Sequence, residues 1–166
     1  TPLIAYITTA FYHVANMFGD IPLKNVAFWT GAIIASLCII PAYLLGRRIT
    51  NDYGGITSAV IVATAPTYFA HTFAGFFDTD MFNVTLPLFF ILFFVEAVKS
   101  DKLSHRIIFA LLSIASIGIY SLSWTGYMFY VAVMVLVMIV FLILCFYLNV
   151  NILEPFKNYK NKYNYF

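Results

Sequence analysis

Five long apolar stretches with almost no charge constrain this chain more than any other feature. Residues 27–46, 54–75 and 125–148 contain no Asp, Glu, Lys or Arg. Residues 81–98 contain one acid, Glu96, and residues 107–123 are uncharged but carry serines toward their C-terminal half. About 20 mainly apolar residues in a helix cross a bilayer core of about 30 Å, so each stretch is predicted to be a transmembrane span. Residues 3–18 are apolar too, but Thr8, Thr9, His13 and Asn16 interrupt them. They suit a helix lying in the interface rather than a sixth span.

The fold expected is therefore all-α: a polytopic transmembrane helix bundle of about five spans plus an N-terminal interfacial helix. Residues 1–26 form the end of an external loop with that helix, 27–148 the five-helix core, and 149–166 a basic cytoplasmic tail. Composition closes the other classes. Only 10% of the 166 residues are charged and 63% are hydrophobic, against about 25% charged in a soluble domain. Low net charge, +2, combined with high hydrophobicity also excludes disorder. Cys38 and Cys145 lie in different apolar runs and read as separate small core residues rather than a disulfide. Pro41 and Pro66 do not veto helices in a bundle, where neighbours satisfy freed carbonyls. Gly31, Ala32, Ala35 and Ser36 recur at helical spacing, which lets backbones approach closely. The chain opens at Thr1 in mid-pattern, as a piece of a longer protein would.

Basic residues set the expected orientation. Arg47 and Arg48 follow the first span, Lys99, Lys102 and Arg106 follow the third, and Lys157, Lys160 and Lys162 follow the fifth. With five spans these fall on one side, leaving Lys24 alone opposite. The expectation is a multi-pass cell-membrane protein with a cytoplasmic tail and with loops 76–80 and Trp124 on the extracytoplasmic face.

That outward loop reads Gly75-Phe76-Phe77-Asp78-Thr79-Asp80-Met81. Two carboxylates two residues apart suit a hard divalent cation that takes oxygen ligands, and carboxylates at a membrane helix mouth are functional candidates. The same residues equally suit a cap, with Asp80 as N-cap of the third span at its positive end. His71 reads as a packing histidine or as a ligand, and Trp124 and Tyr127 as interfacial aromatics or as contacts to a headgroup. Glu96 is placed to pair with Lys99 three residues on. Asn83-Val84-Thr85 matches a glycosylation acceptor pattern but falls inside a span, so Asn83 is rejected as an acceptor. The basic and aromatic tail after residue 157 suits membrane headgroups rather than nucleic acid.

The stretch from Thr64-Ala65-Pro66 through Gly75-Phe76-Phe77-Asp78-Thr79-Asp80-Met81-Phe82-Asn83 closely resembles the second acidic-motif region of the oligosaccharyltransferase catalytic subunit family. The resemblance is to its single-subunit archaeal enzymes first and to the bacterial ones next. Pro41-Ala42-Tyr43-Leu44-Leu45-Gly46-Arg47-Arg48 is similar to the end of that family's second transmembrane helix, and Ser123-Trp124-Thr125-Gly126-Tyr127 to its outward loop before the sixth. The resemblance implies a GT-C type membrane domain. The implied activity is transfer of an oligosaccharide from a polyprenyl phosphate or pyrophosphate carrier to Asn in Asn-x-Ser/Thr acceptors, assisted by Mn²⁺ or Mg²⁺. It makes Asp78 and Asp80 metal ligands and gives His71, where relatives carry an arginine, a supporting role at the donor or metal. Trp124 and Tyr127 become contacts to the lipid-linked donor. The family's first acidic motif would lie upstream of Thr1. A later glutamate and the Trp-Trp-Asp-Tyr-Gly acceptor-reading motif would lie downstream of Phe166, so the segment is expected to be inactive alone, with no complete catalytic set. Competing readings are another polyprenyl-phosphate-sugar glycosyltransferase, a transporter segment, or a structural membrane subunit.

Overall fold

The computed structural model describes residues 2–147, which form eight α-helices and no strand. They are α1 (Pro2–Asn16), α2 (Leu23–Ser36), α3 (Ile39–Ile49), α4 (Asp52–Ala63), α5 (Pro66–Ala70), α6 (Asp80–Lys99), α7 (Leu103–Ser123) and α8 (Tyr127–Tyr147). The all-α expectation holds. The expected basic tail lies outside the described residues. Among those described, three helical segments are long and apolar enough to cross a membrane: Leu23–Ile49, Asp80–Lys99 and Leu103–Ser123. The 21 residues of α8 cover the fifth expected span.

The first span is two helices joined by a tightened turn. Pro41 has no N–H to offer the Leu37 carbonyl, and the Ile40 N–H takes that oxygen instead at 3.2 Å. The second expected span is not one helix. Pro66 forces the preceding residue out of the helical region, and Ala65 accordingly sits at ψ 118°. The stretch therefore divides into the 12 residues of α4 and the five of α5, and residues 71–79 become a loop.

Helices α3 and α4 form a tight hairpin in which Asn51 caps α4, its Oδ1 accepting from the Gly54 N–H at 3.0 Å. Gly46 lies directly against Gly54 and Ser58 across this pair. Helix α6 packs along α7 and against α2 and α3, α8 lies on α7, and α1 touches both α2 and α7. At the hairpin end Glu96 interacts electrostatically with Lys99, as its spacing had suggested, and also meets a second cation. Arg48 bridges to it with two bonds, Nε to Oε1 at 2.7 Å and Nη2 to Oε2 at 2.6 Å. Packing of α3 on α6 brings the guanidinium there, and its planar fork matches a carboxylate better than an ammonium does.

At the opposite end Leu3, Ile34, Ala35, Met81, Phe82 and Tyr120 form the buried cluster. It joins α1, α2, α6 and α7 beneath the loop 71–79. Cys38 is a buried free thiol, and the side chain of Cys145 lies outside the described residues. Large apolar side chains on α7 such as Ile107, Leu111 and Ile114 are at least half exposed, a face suited to hydrocarbon.

Candidate functional site

The loop 71–79 is held down by its backbone. Gly75 adopts φ +98°, a left-handed conformation that glycine accepts at no steric cost. This turns its N–H onto the Phe28 carbonyl of α2 at 2.8 Å. Next to it, the Phe76 carbonyl approaches α2 so closely that a Cβ on Gly31 would lie 2.6 Å from its oxygen. The small-residue stripe on α2 thus admits a loop backbone as well as a helix. Ala35, from the same stripe, offers its carbonyl to the Tyr68 hydroxyl at 3.2 Å.

Tyr68 is a junction that sequence reasoning missed. Its hydroxyl lies 3.2 Å from the Met81 carbonyl and 3.0 Å from Thr85 Oγ1, and Thr85 in turn donates to the Met81 carbonyl at 2.9 Å. One phenol therefore ties α5 to α2 and α6, which fixes both ends of the acidic loop. Tyrosine hydroxyls seek a partner when buried, and Tyr68 three residues before His71 was the available signal.

Asp78 is exposed, and its Oδ1 accepts from the Thr79 N–H at 2.6 Å. Asp80 is half-buried as the first residue of α6. It is not the N-cap: Thr79 occupies that position, with no side-chain cap bond. Asp80 Oδ1 instead accepts from Asn83 Nδ2 at 2.8 Å, and Asn83 Oδ1 accepts from the Tyr120 hydroxyl of α7 at 3.1 Å. Both groups of the Asn83 amide are thereby engaged, on a half-buried side chain. Among the described residues, Oδ2 of each aspartate accepts no hydrogen bond.

His71 ends α5. Its Nδ1 donates to the Thr67 carbonyl at 2.8 Å, and its ring meets Phe76 edge-on at 5.4 Å. It lies within ion-pair distance of neither aspartate. Trp124 follows α7 and spreads its indole over Gly126, while Tyr127 begins α8 and packs on the buried cluster. The Tyr120–Asn83 bond puts the end of α7 beside the start of α6, so the Trp124 loop and the acidic loop share one end of the bundle. Below Tyr120 an apolar cleft of about 220 Å³ opens between α6, α7 and α8, lined by residues including Leu86, Phe90, Ile117, Tyr130 and Met134.

The donor set fits a divalent cation such as Mn²⁺ or Mg²⁺ in kind: two hard carboxylates, each with one uncommitted oxygen. No group of three or more His, Cys, Asp or Glu able to hold a metal occurs among the described residues. An octahedral site takes six ligands, so two carboxylates would be only part of one.

Residues 1–163 match the family model for the N-terminal part of oligosaccharyl transferase STT3. The chain is 32% identical over 141 residues to a dolichyl-phosphooligosaccharide-protein glycotransferase of Methanococcus voltae, covering 81% of this chain and 15% of that protein. A Methanocaldococcus jannaschii protein of the same description is 36% identical over 103 residues, 61% of this chain and 11% of the relative. An undecaprenyl-diphosphooligosaccharide–protein glycotransferase of Campylobacter jejuni is 31% identical over 82 residues, 49% of this chain and 12% of the relative. The chain thus spans less than a sixth of the length of these curated relatives. No solved structure matches it significantly.

Proposed function

This chain belongs to the oligosaccharyl transferase STT3 family, and from that premise we propose that it is part of a catalytic subunit performing protein N-glycosylation. The subunit transfers an oligosaccharide from a polyprenyl phosphate or pyrophosphate carrier to the side-chain amide of Asn in an Asn-x-Ser/Thr acceptor, at the extracytoplasmic face. The observation that carries this reading is the placement of Asp78 and Asp80. They stand at one end of a membrane-length bundle, Asp78 on a loop locked to α2 and Asp80 at the start of α6, each with a free carboxylate oxygen among the described residues.

In this reading Asp78 and Asp80 are ligands to Mn²⁺ or Mg²⁺. The cation supplies electrostatic stabilisation where negative charge develops on the departing carrier phosphate. The buried cluster under the loop keeps the two carboxylates in place, which is the preorganisation such stabilisation requires. Trp124, Tyr127 and His71 flank the lipid-linked donor, and the apolar cleft below Tyr120 suits an apolar carrier. The remaining ligands and the acceptor-reading site come from further parts of the subunit, so residues 1–166 alone are expected to transfer no glycan.

Substitution separates this from a purely structural role, in which the acids only complement the positive end of α6. Asparagine suits a helix N-terminus about as well as aspartate but is a poorer ligand for a hard cation. In the intact subunit, Asp78→Asn and Asp80→Asn should leave folding and insertion unaltered. Each should lower transfer to an Asn-x-Thr peptide by at least about tenfold, since an electrostatic stabiliser commonly contributes ~3 kcal/mol. Raised Mn²⁺ should restore part of the loss. Transfer at the unmodified rate, with unmodified metal dependence, would make the acids structural.

A further inference from the structure

We infer that Asn83 is a positioning residue for Asp80: it orients the carboxylate so that Oδ2 is presented to the cation, and it is itself set by Tyr120 of α7. This rests on the metal-binding reading of Asp80 above and adds to it a residue on the side of α6 facing α7.

The direction of each bond is fixed by chemistry. A carboxylate only accepts, so the Asn83 group facing Asp80 at 2.8 Å is the amide nitrogen. The amide oxygen then faces Tyr120, whose hydroxyl donates at 3.1 Å. Tyr120 is 2% exposed and is held in the core, with its ring edge-on to Tyr130 at 5.6 Å. The chain Tyr120–Asn83–Asp80 therefore has a rigid buried end and a half-exposed acidic end. It occupies one oxygen of Asp80 and leaves the other.

The helix needs this tether at that point. Pro87 lies inside α6 and has no N–H to donate to the carbonyl of residue 83, so the backbone bond from the second turn back to Asn83 is missing. The Thr79 cap contributes no side-chain bond either. Side-chain bonds from Asn83 and Thr85 add to backbone bonds such as that from the Phe82 N–H to the Thr79 carbonyl at 2.9 Å, and that of Asn83 reaches a candidate ligand. Partners that orient metal ligands in this way are commonly worth about 10–100-fold in metal affinity.

The test is Mn²⁺ binding to the intact subunit, read from the spectroscopic signal of unbound Mn²⁺, with no donor or acceptor present. Asn83→Leu keeps the branching and the number of side-chain heavy atoms and removes both bonds. Asn83→Leu combined with Tyr120→Phe removes both partners, so no buried hydroxyl is left stranded. Both variants should bind Mn²⁺ about tenfold more weakly per folded molecule, and Asp80→Asn more weakly still. Tyr120→Phe alone should cost about threefold, and its effect should vanish when Asn83 is already Leu, as expected for groups acting in series. At saturating Mn²⁺ the double variant should recover most of its transfer rate, which a merely structural defect would not do. Unchanged Mn²⁺ affinity in both Asn83 variants, alongside a weakened Asp80→Asn, would overturn the positioning role and leave the metal reading intact. Unchanged affinity in Asp80→Asn as well would overturn both.

Discussion

Adding one methyl group to α2 should disable the acidic loop without touching a carboxylate. In Gly31→Ala the new Cβ would lie 2.6 Å from the Phe76 oxygen, where ordinary van der Waals contact begins at 3.4 Å. About 0.8 Å must be made up, and the neighbour is backbone, so no side-chain rotation relieves it. Phe76 is two residues before Asp78, and Gly75 is bonded to α2 at 2.8 Å, so the loop has to lift as a unit. Overpacking of this kind costs roughly 1–3 kcal/mol of stability. A displacement of about 1 Å at a reacting centre can cost on the order of 10²-fold in rate. The expected result is a 10- to 100-fold fall in glycan transfer, or about 1.4–2.8 kcal/mol in the barrier. The assay is transfer to an Asn-x-Thr peptide by the purified intact subunit, normalised to folded protein, with thermal unfolding measured in parallel. Gly46→Ala is the control. Its Cβ would be at least as crowded, against Ser58 Oγ and 2.7 Å from the Gly54 oxygen, but at the hairpin end. It should lose comparable stability and keep its transfer rate per folded molecule. If Gly31→Ala transfers normally, or Gly46→Ala loses rate equally, the loop is not positioned through α2.

Two further outcomes follow from the opposite end and from the overall orientation. Arg48→Ala should destabilise the protein by roughly 2 kcal/mol, because it leaves Glu96, whose side chain is only 17% exposed, without its bidentate partner. Arg48→Met with Glu96→Gln should cost less than Arg48→Ala in the same unfolding measurement, and additive losses would show that the pair does not act as one. Single cysteines at Arg47, Asp78 and Lys102, in a background without Cys38 and Cys145, should be labelled by an impermeant reagent from outside the cell only at position 78. Labelling of position 102 instead would reverse the proposed orientation.

Much of this architecture is legible in the sequence because hydrophobicity and charge are local signals. The uncharged runs give the α6, α7 and α8 regions nearly to their ends. Pro66 marks where α4 must stop, although a hydropathy reading carries the span across it; the break follows from the conformation forced on Ala65. What composition cannot give is which side chain meets which across helices. Glu96 has Lys99 at a favourable spacing and interacts with it, yet its bidentate bond comes from Arg48, 48 residues away in sequence, because the packing of α3 on α6 decides the geometry. Asp80 looks like a cap by its position before an apolar run. One residue of difference in where α6 begins makes Thr79 the cap and frees the Asp80 carboxylate for Asn83. The glycosylation-like Asn83-Val84-Thr85 shows the same limit: the local pattern is cheap, and the role of Asn83 depends on Tyr120, 37 residues away.

Asp78 in the loop and Asp80 at the start of α6 are held in different ways, and the difference bears on how the proposed site would work. Among the described residues, the exposed Asp78 is bonded only to the adjoining Thr79, so its position follows the loop backbone and therefore the seat of that loop on α2. Asp80 is half-buried and tied through Asn83 to a phenol in the core of α7. One carboxylate is thus referred to α2 and the other to α7, and the distance between them depends on how those helices stand relative to α6. Tyr68 is the side chain that governs this on the α2 side, since it bonds to α2 and α6 together. A cation held between two such ligands would stiffen the α2–α6–α7 junction on binding, and by linkage any contact that fixes the junction would raise the affinity for the cation. The rigidity of the buried cluster beneath the loop is therefore part of the chemistry proposed above it.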